Sequence, residues 1–169
     1  MPTPHGLGNT FDVLCGFTPV DMGTAANTGA RVHMENYEGL CFVGYIATGT
    51  AAEAPTFTLE EHTALTGGTS ADLAVIAEYW QKEEATLDGD EAWVRVAQTA
   101  AATVTDADWD DANEVMVAFQ VRADQLTDGY RWASVSVADT GTAHIGTVFA
   151  VGYGLRVQRT PANLAQPNA

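Results

Sequence analysis

EVMVAFQVRADQLTDGYRWASVSVAD, residues 114–139, is the stretch that decides the fold. Val115, Val117, Phe119 and Val121 fall on one side of an extended chain and Glu114, Gln120 and Arg122 on the other, the period of two that marks a half-buried strand. Asp124 then suits the cap of a single helical turn, and Gly129 supplies the positive φ that ends it. Through Tyr130, Arg131 and Trp132 the chain enters a second strand, in which Ala133, Val135 and Val137 share a face. Two strands joined by a capped turn leave a row of valines that needs a partner sheet to cover it.

Outward from this unit the same reading predicts strand after strand. Gly39 to Ala47 is apolar on both sides through Leu40, Cys41, Phe42, Val43, Tyr45 and Ile46, so it is a central strand covered twice or one that gives a face to an oligomer contact. Thr56 to Thr63 sets Phe57, Leu59 and Glu61 against Thr56, Thr58, Glu60 and His62, and Gly67 and Gly68 turn the chain. Ala71 to Ala74 reads as a helical turn, and Val75 to Glu84 as a strand with Tyr79 and Trp80 on opposite faces. Asp88-Gly89 predicts a type I′ hairpin turn, with Trp93 to Gln98 returning. In the last strand, His144 to Arg156, the residues Ile145, Phe149, Val151, Tyr153 and Leu155 share one face. Gly146, Ala150, Gly152 and Gly154 share the other, a face bare enough for another backbone or sheet to approach closely.

Residues 1–29 are interrupted by Pro2, Pro4, Pro19 and several glycines around one strand candidate, Thr10 to Cys15, and read as an irregular N-terminal arm or outer segment. Residues 159–169, with Pro161 and Pro167, read as a flexible C-terminal tail. Between them, residues 30–158 are expected to form an all-β domain, an antiparallel β-sandwich or jelly roll of about 8–10 strands.

Composition narrows the partners. Twenty-two acids stand against one lysine, Lys82, and six arginines, for a formal net charge of −15 over 169 residues. Duplex binding needs a basic stripe that displaces condensed counterions, so nucleic acid is not expected as a partner. The acidic bias favours solubility and basic partner surfaces, and a halophilic or high-GC source produces the same bias without a partner. No charged and apolar leader opens the chain, and no window reaches the roughly 20 apolar residues of a membrane helix, so neither export by that route nor a membrane span is expected. Cys15 and Cys41 read as buried, reduced thiols without zinc-site spacing, consistent with cytoplasmic synthesis.

No chemistry-bearing motif nominates a catalytic, cofactor or metal residue. Asp106, Asp108 and Asp110 carry the first three positions of a calcium loop, yet Asp111 stands where glycine is needed and Val117 where the bidentate glutamate belongs; a solvated loop is favoured. His5, His33, His62 and His144 are scattered, with His62 and His144 read as surface or capping residues. Glu60 with Glu61, and Glu83 with Glu84, point to opposite faces of their strands and cannot share a cleft. Trp80, Trp93, Trp109 and Trp132 read as core or interface packing, with an exposed Trp109 or Trp132 as the platform of an alternative sugar site.

One resemblance extends across these segments. Arg122-Ala-Asp-Gln-Leu126, Asp128-Gly-Tyr-Arg-Trp132 and the Val-Ser-Val-Ala-Asp of residues 135–139 resemble a recurring pattern in small virion structural proteins of tailed bacteriophages. TFTLEEHTAL (residues 56–65) resembles the early strand of that group, residues 78–105 resemble its central hairpin, and His144, Ile145 and Gly146 stand where it has a small-residue run. The resemblance spans residues 37–158 and carries no catalytic residue. It implies a non-enzymatic phage subunit, made in the host cytoplasm and placed on the capsid exterior, that decorates or stabilises the shell. The implied partners are the major capsid protein and further copies of the chain, a trimer being favoured, with neither nucleic acid nor membrane. Phe11 and Val13 in the N-terminal segment, with Leu40, Phe42, Val43 and Tyr45, are the expected subunit or shell contacts. A tail or neck subunit of the same fold and a carbohydrate-binding β-sandwich module are the alternatives.

Overall fold

Alternation with a period of two dominates the chain, and its computed structural model, which describes residues 6–49, 54–109 and 112–164, is correspondingly all-β. The strands are β1 (Phe11–Asp21), β2 (Asn27–Thr28), β3 (Val32–His33), β4 (Gly39–Ile46), β5 (Phe57–His62), β6 (Ser70–Asp72), β7 (Ile76–Glu84), β8 (Val94–Ala101), β9 (Thr103–Val104), β10 (Glu114–Arg122), β11 (Trp132–Val137) and β12 (Ile145–Tyr153). Helix among the described residues is limited to single 3₁₀ turns at Met34–Asn36, Ala123–Gln125 and Pro161–Asn163, and no helix is long and apolar enough to cross a membrane. The twelve strands among the described residues exceed the expected count because β2, β3, β6 and β9 are two or three residues long, below what periodicity can register.

Two antiparallel sheets form a β-sandwich. The first runs in the order β1-β12-β4-β10-β7-β8; the second runs β2-β11-β5-β6, with β3 also on β11 and β9 also on β5. Strands β10 and β11, adjacent in sequence, lie in different sheets, so the valines of one cover those of the other. The turn between them is held by the Arg122 amide, which donates to Gln125 Oε1 (2.8 Å), and by the Arg122 guanidinium on the Asp124 carboxylate (2.9 and 3.0 Å). Gly129 has the expected positive φ, 90°.

The core lies between the sheets. Leu40, Phe42 and Ile46 from β4 and Val115, Val117, Phe119 and Val121 from β10 face Phe57, Leu59, Ala133, Val135 and Val137 of the second sheet, all buried. Each such side chain contributes roughly 1.5–3 kcal/mol through the area it withdraws from water. Trp109, from a loop, is fully buried between Phe57 and Tyr79, edge-on to both (ring centroids 6.1 and 5.9 Å), and its indole N–H donates to Gln81 Oε1 (3.2 Å).

Several sequence expectations change. Residues read as an outer arm are part of the sandwich: β1 is an edge strand on β12, Leu14 is buried and Met22 is fully enclosed. Residues 71 and 72 belong to the strand β6 and residues 73 and 74 to no helical turn, because Glu60, Glu61 and His62 of β5 pair with Asp72, Ala71 and Ser70. Gly89 has φ of 108° but Asp88 does not share the left-handed region, so there is no type I′ turn. Instead β7 and β8 are joined by residues 85–93, where the Glu91 carboxylate accepts the amides of Asp88 (2.6 Å) and Gly89 (3.2 Å) and holds a wider loop. The tail, as far as residue 164, is tied down: the Arg159 amide donates to the Gly8 carbonyl (2.9 Å) and a 3₁₀ turn follows. Residues 1–5 and 165–169, with Pro2, Pro4, His5 and Pro167, lie outside the described residues, as do Asp110 and Asp111.

Candidate interaction face

The site is the outer surface of the first sheet, and β12 shows why it exists. Its inward side carries Gly146, Val148, Ala150 and Gly152, and, Tyr153 apart, its largest side chains, Ile145 and Phe149, point outward. The two glycines must be bare because large side chains of the same chain fill the space beside them: a Cβ at Gly152 would stand 2.5 Å from the Tyr37 ring, and one at Gly146 2.6 Å from the Met22 methyl. Tyr37 then reaches Asp12, donating to Oδ2 at 2.9 Å, and so ties β1 to the interior. Burial first, then Asp12, pushes the Tyr37 hydroxyl well above its ordinary range. The glycines read as an opening for another backbone are thus occupied from within.

Strand register carries the consequence across the sheet. Cys15 lies opposite Phe149, Phe149 opposite Val43, Val43 opposite Ala118 and Ala118 opposite Trp80, one continuous row over β1, β12, β4, β10 and β7. The row to one side is Val13, Val151, Cys41 and Gln120; to the other it is Thr147, Tyr45, Met116 and Lys82. Val13 is 53 % exposed, Phe149 43 % and Ile145 56 %. Lys82 is the only charged residue in the three rows, and its ammonium sits 5.4 Å from the Trp93 ring centroid. Burial raises the Cys41 thiol; burial first and Glu114 next raise the Tyr45 hydroxyl; burial and then Glu38 raise that of Tyr153. Each is therefore held protonated at neutral pH, so the charge on this side is confined to Lys82 within the rows and to Glu114, Glu78 and Arg95 at their margin.

Of the expected contacts, Phe11, Val13, Val43 and Tyr45 belong to this side of the sheet. Leu40 (0 % exposed) and Phe42 (1 %) do not: they alternate with Cys41 and Val43 and point into the core, so they have no surface to offer a partner. Phe149, Ile145 and Trp80 join the face, and the signal that marks the first two is the split of residues 145–155 into a bulky and a bare side. Both cysteines are free and on this face, Cys15 exposed and Cys41 half-buried, which corrects the reading of both as buried thiols.

The outer surface of the second sheet has opposite chemistry. Thr58, Glu60, His62, Ser134 and Ser136 alternate with the core residues of β5 and β11. His62 is buried rather than superficial: its Nδ1 lies 2.7 Å from Ser70 Oγ and its Nε2 2.8 Å from Ser134 Oγ, joining β5, β6 and β11. Burial, and then the Arg31 guanidinium, lower its pKa from 6.5 to about 4, against a smaller opposing effect of Glu61. Arg31 donates to the carbonyls of Ala64 (2.7 Å) and Gly67 (2.8 Å), drawing residues 63–70 over the ring. His144 is also fully buried, its amide donating to Asp21 Oδ1 (3.1 Å).

Other candidate chemistry is spent on structure. The buried Trp109 offers no sugar platform, and Trp132 stacks on His33 (4.4 Å between centroids). Past the last β7–β10 pair, Trp80 with Ala118, a cleft of about 290 Å³ is lined by Ile76, Glu78, Trp80, Gln120, Arg122 and Gln125. Its charged groups already have partners, Glu78 with Arg95 and Arg122 with Asp124. Glu84, Asp90 and Glu91 bring carboxylate oxygens within 4.8 Å of one another, but Glu91 is already taken up by the loop amides. Comparison with known proteins finds no matching family and no matching curated protein.

Proposed function

We propose that the chain is a non-enzymatic structural subunit of a tailed-phage particle, one that decorates or stabilises the capsid shell by protein–protein contacts and has the major capsid protein among its partners. The observation that supports this most is the apolar central part of the outer face of the first sheet on a chain of net charge −15. A sheet face of this kind is a surface to be covered, and covering roughly 800 Å² per partner suffices for a specific complex. Many repeated sites on a shell then add avidity without any single contact being strong. A contact through this face, with the shell or with another copy, is mainly apolar and persists as salt rises; an electrostatic contact would weaken.

Antibody labelling of intact purified particles tests the reading. Label spread at regular intervals over the head is the expected result. Label confined to tail or neck replaces it with a tail-subunit role, and no label on particles whose epitope is accessible overturns it.

A further inference from the structure

We propose that the outer face of the first sheet is covered by the same face of a second copy of this chain, as a twofold pair. The proposal rests on reading that face as a protein contact and names its occupant. Relief along the central row carries it. From β1 to β7 the residues run Cys15, Phe149, Val43, Ala118, Trp80: small, large, intermediate, small, large. A twofold axis lying in the interface, parallel to the strands and passing over Val43, reverses this order in the partner. Phe149 of each copy then meets Ala118 of the other, Trp80 meets Cys15, and Val43 meets its own counterpart. Every large side chain is set against a small one, the self-complementarity that an isologous interface requires.

An axis across the strands would instead set Phe149 on Phe149 and Trp80 on Trp80, so the relief selects one of the two ways of stacking the faces. The flanking rows agree: Val151 meets Gln120, and Cys41 and Tyr45 lie on the axis.

Size and charge fit the same occupant. Five strands spaced about 4.8 Å apart, over three rows about 7 Å apart, present on the order of 500 Å² per copy, roughly 1,000 Å² in all, the size of a specific but reversible contact. Stacked sheets of this kind sit about 10 Å apart with strands within about 30° of alignment. A second copy is as acidic as the first, and it can approach only where carboxylates are sparse; the three rows contain none, and the nearest, Glu78, Glu84 and Glu114, lie at the β7 and β10 margin, with Glu78 paired to Arg95.

The test is a knob-and-hole exchange on the full chain. Sedimentation velocity over a concentration series should show a reversible dimer, with Cys15 alkylated more slowly in the dimer than in the dilute subunit. Ala118→Trp fills the hole that receives Phe149 and should raise the dissociation constant at least about 30-fold, the scale of an interface hot spot. Phe149→Asp should do the same. The double variant A118W/F149A restores large against small and should recover the dimer, while the thermal midpoints of the dilute variants report that each subunit folds. A wild-type chain that is monomeric at every concentration or trimeric, or a double variant no better than A118W, overturns the pairing. A monomeric chain on regularly labelled heads overturns the pairing and leaves the particle reading standing; a dimer absent from particles does the reverse.

Discussion

The two outer surfaces of this sandwich obey different rules. On the second sheet, Thr58, Glu60 and Ser136 meet solvent and the polar groups of His62 and Ser134 close on one another, as is usual for an antiparallel sheet with one wet side. On the first, Phe149, Val43 and Val13 stand where that rule places polar residues. The difference teaches that hydrophobic alternation separates two faces of a strand without saying which one the chain keeps for itself. In β12 the decision is made by volume. Tyr37 and Met22 already occupy the interior beside Gly152 and Gly146, so the bulky side has nowhere to go but out.

The largest expected effect breaks the comparison within one strand. Phe42→Ala should cost about 3–5 kcal/mol of stability, the scale of an aromatic core truncation. Its neighbour Val43→Ala should cost less than about 1 kcal/mol when urea unfolding is followed on the dilute, unpaired subunit. Equal losses would mean that the outer face is packed within the single chain.

Next in size is the volume argument. Gly152→Val forces the Tyr37 ring aside and should destabilise by roughly 1–3 kcal/mol, as overpacked cores do. A variant with wild-type thermal stability would show that β12 did not need its bare side.

The polar surface yields a smaller effect with a defined sign. Since the folded pKa of His62 is about 4 and its ordinary value 6.5, the unfolded chain takes up the proton first as pH falls. The contribution of His62 is therefore intact above pH 6.5 and is lost progressively as pH drops toward 4. Denaturant midpoints of the native chain and His62→Gln at pH 7 and 4.5 isolate it from the many carboxylates. The gap between the two proteins should narrow at the lower pH, and a constant gap would reject the assignment.

Much of the architecture was legible in residues 114–139 and 56–63, where alternation is strong and each strand has one polar side. Less so was the allocation of β10 and β11 to separate sheets, since a short connection is equally compatible with a hairpin and only the distant partners β4 and β5 settle it. His62 sits in a wet position by alternation and becomes buried because Arg31 draws residues 63–70 across it, a contact between segments far apart in sequence. Trp109 lies in an acid-rich stretch whose neighbours disguise a core residue. As for the interaction face, Val43, Tyr45, Phe11 and Val13 could be named from apolarity alone, but the two faces of residues 39–47 are both apolar. Leu40 and Phe42 could be told from their neighbours only by the sheet that covers them.

The place of β12 between β1 and β4 bears on how the molecule is made. These two strands never pair with each other, and both wait for residues 145–153. A nascent chain that has passed β4, β7 and β10 still holds β1 as a separate piece, with two open edges where a neighbouring chain could dock. Chains stalled or cut before residue 145 should therefore pass into inclusion bodies, while those a few residues beyond Tyr153 have every strand needed to close the sheet. Assembly of the first sheet is thus a late event in translation, and the strand that completes it also brings Phe149 to the surface.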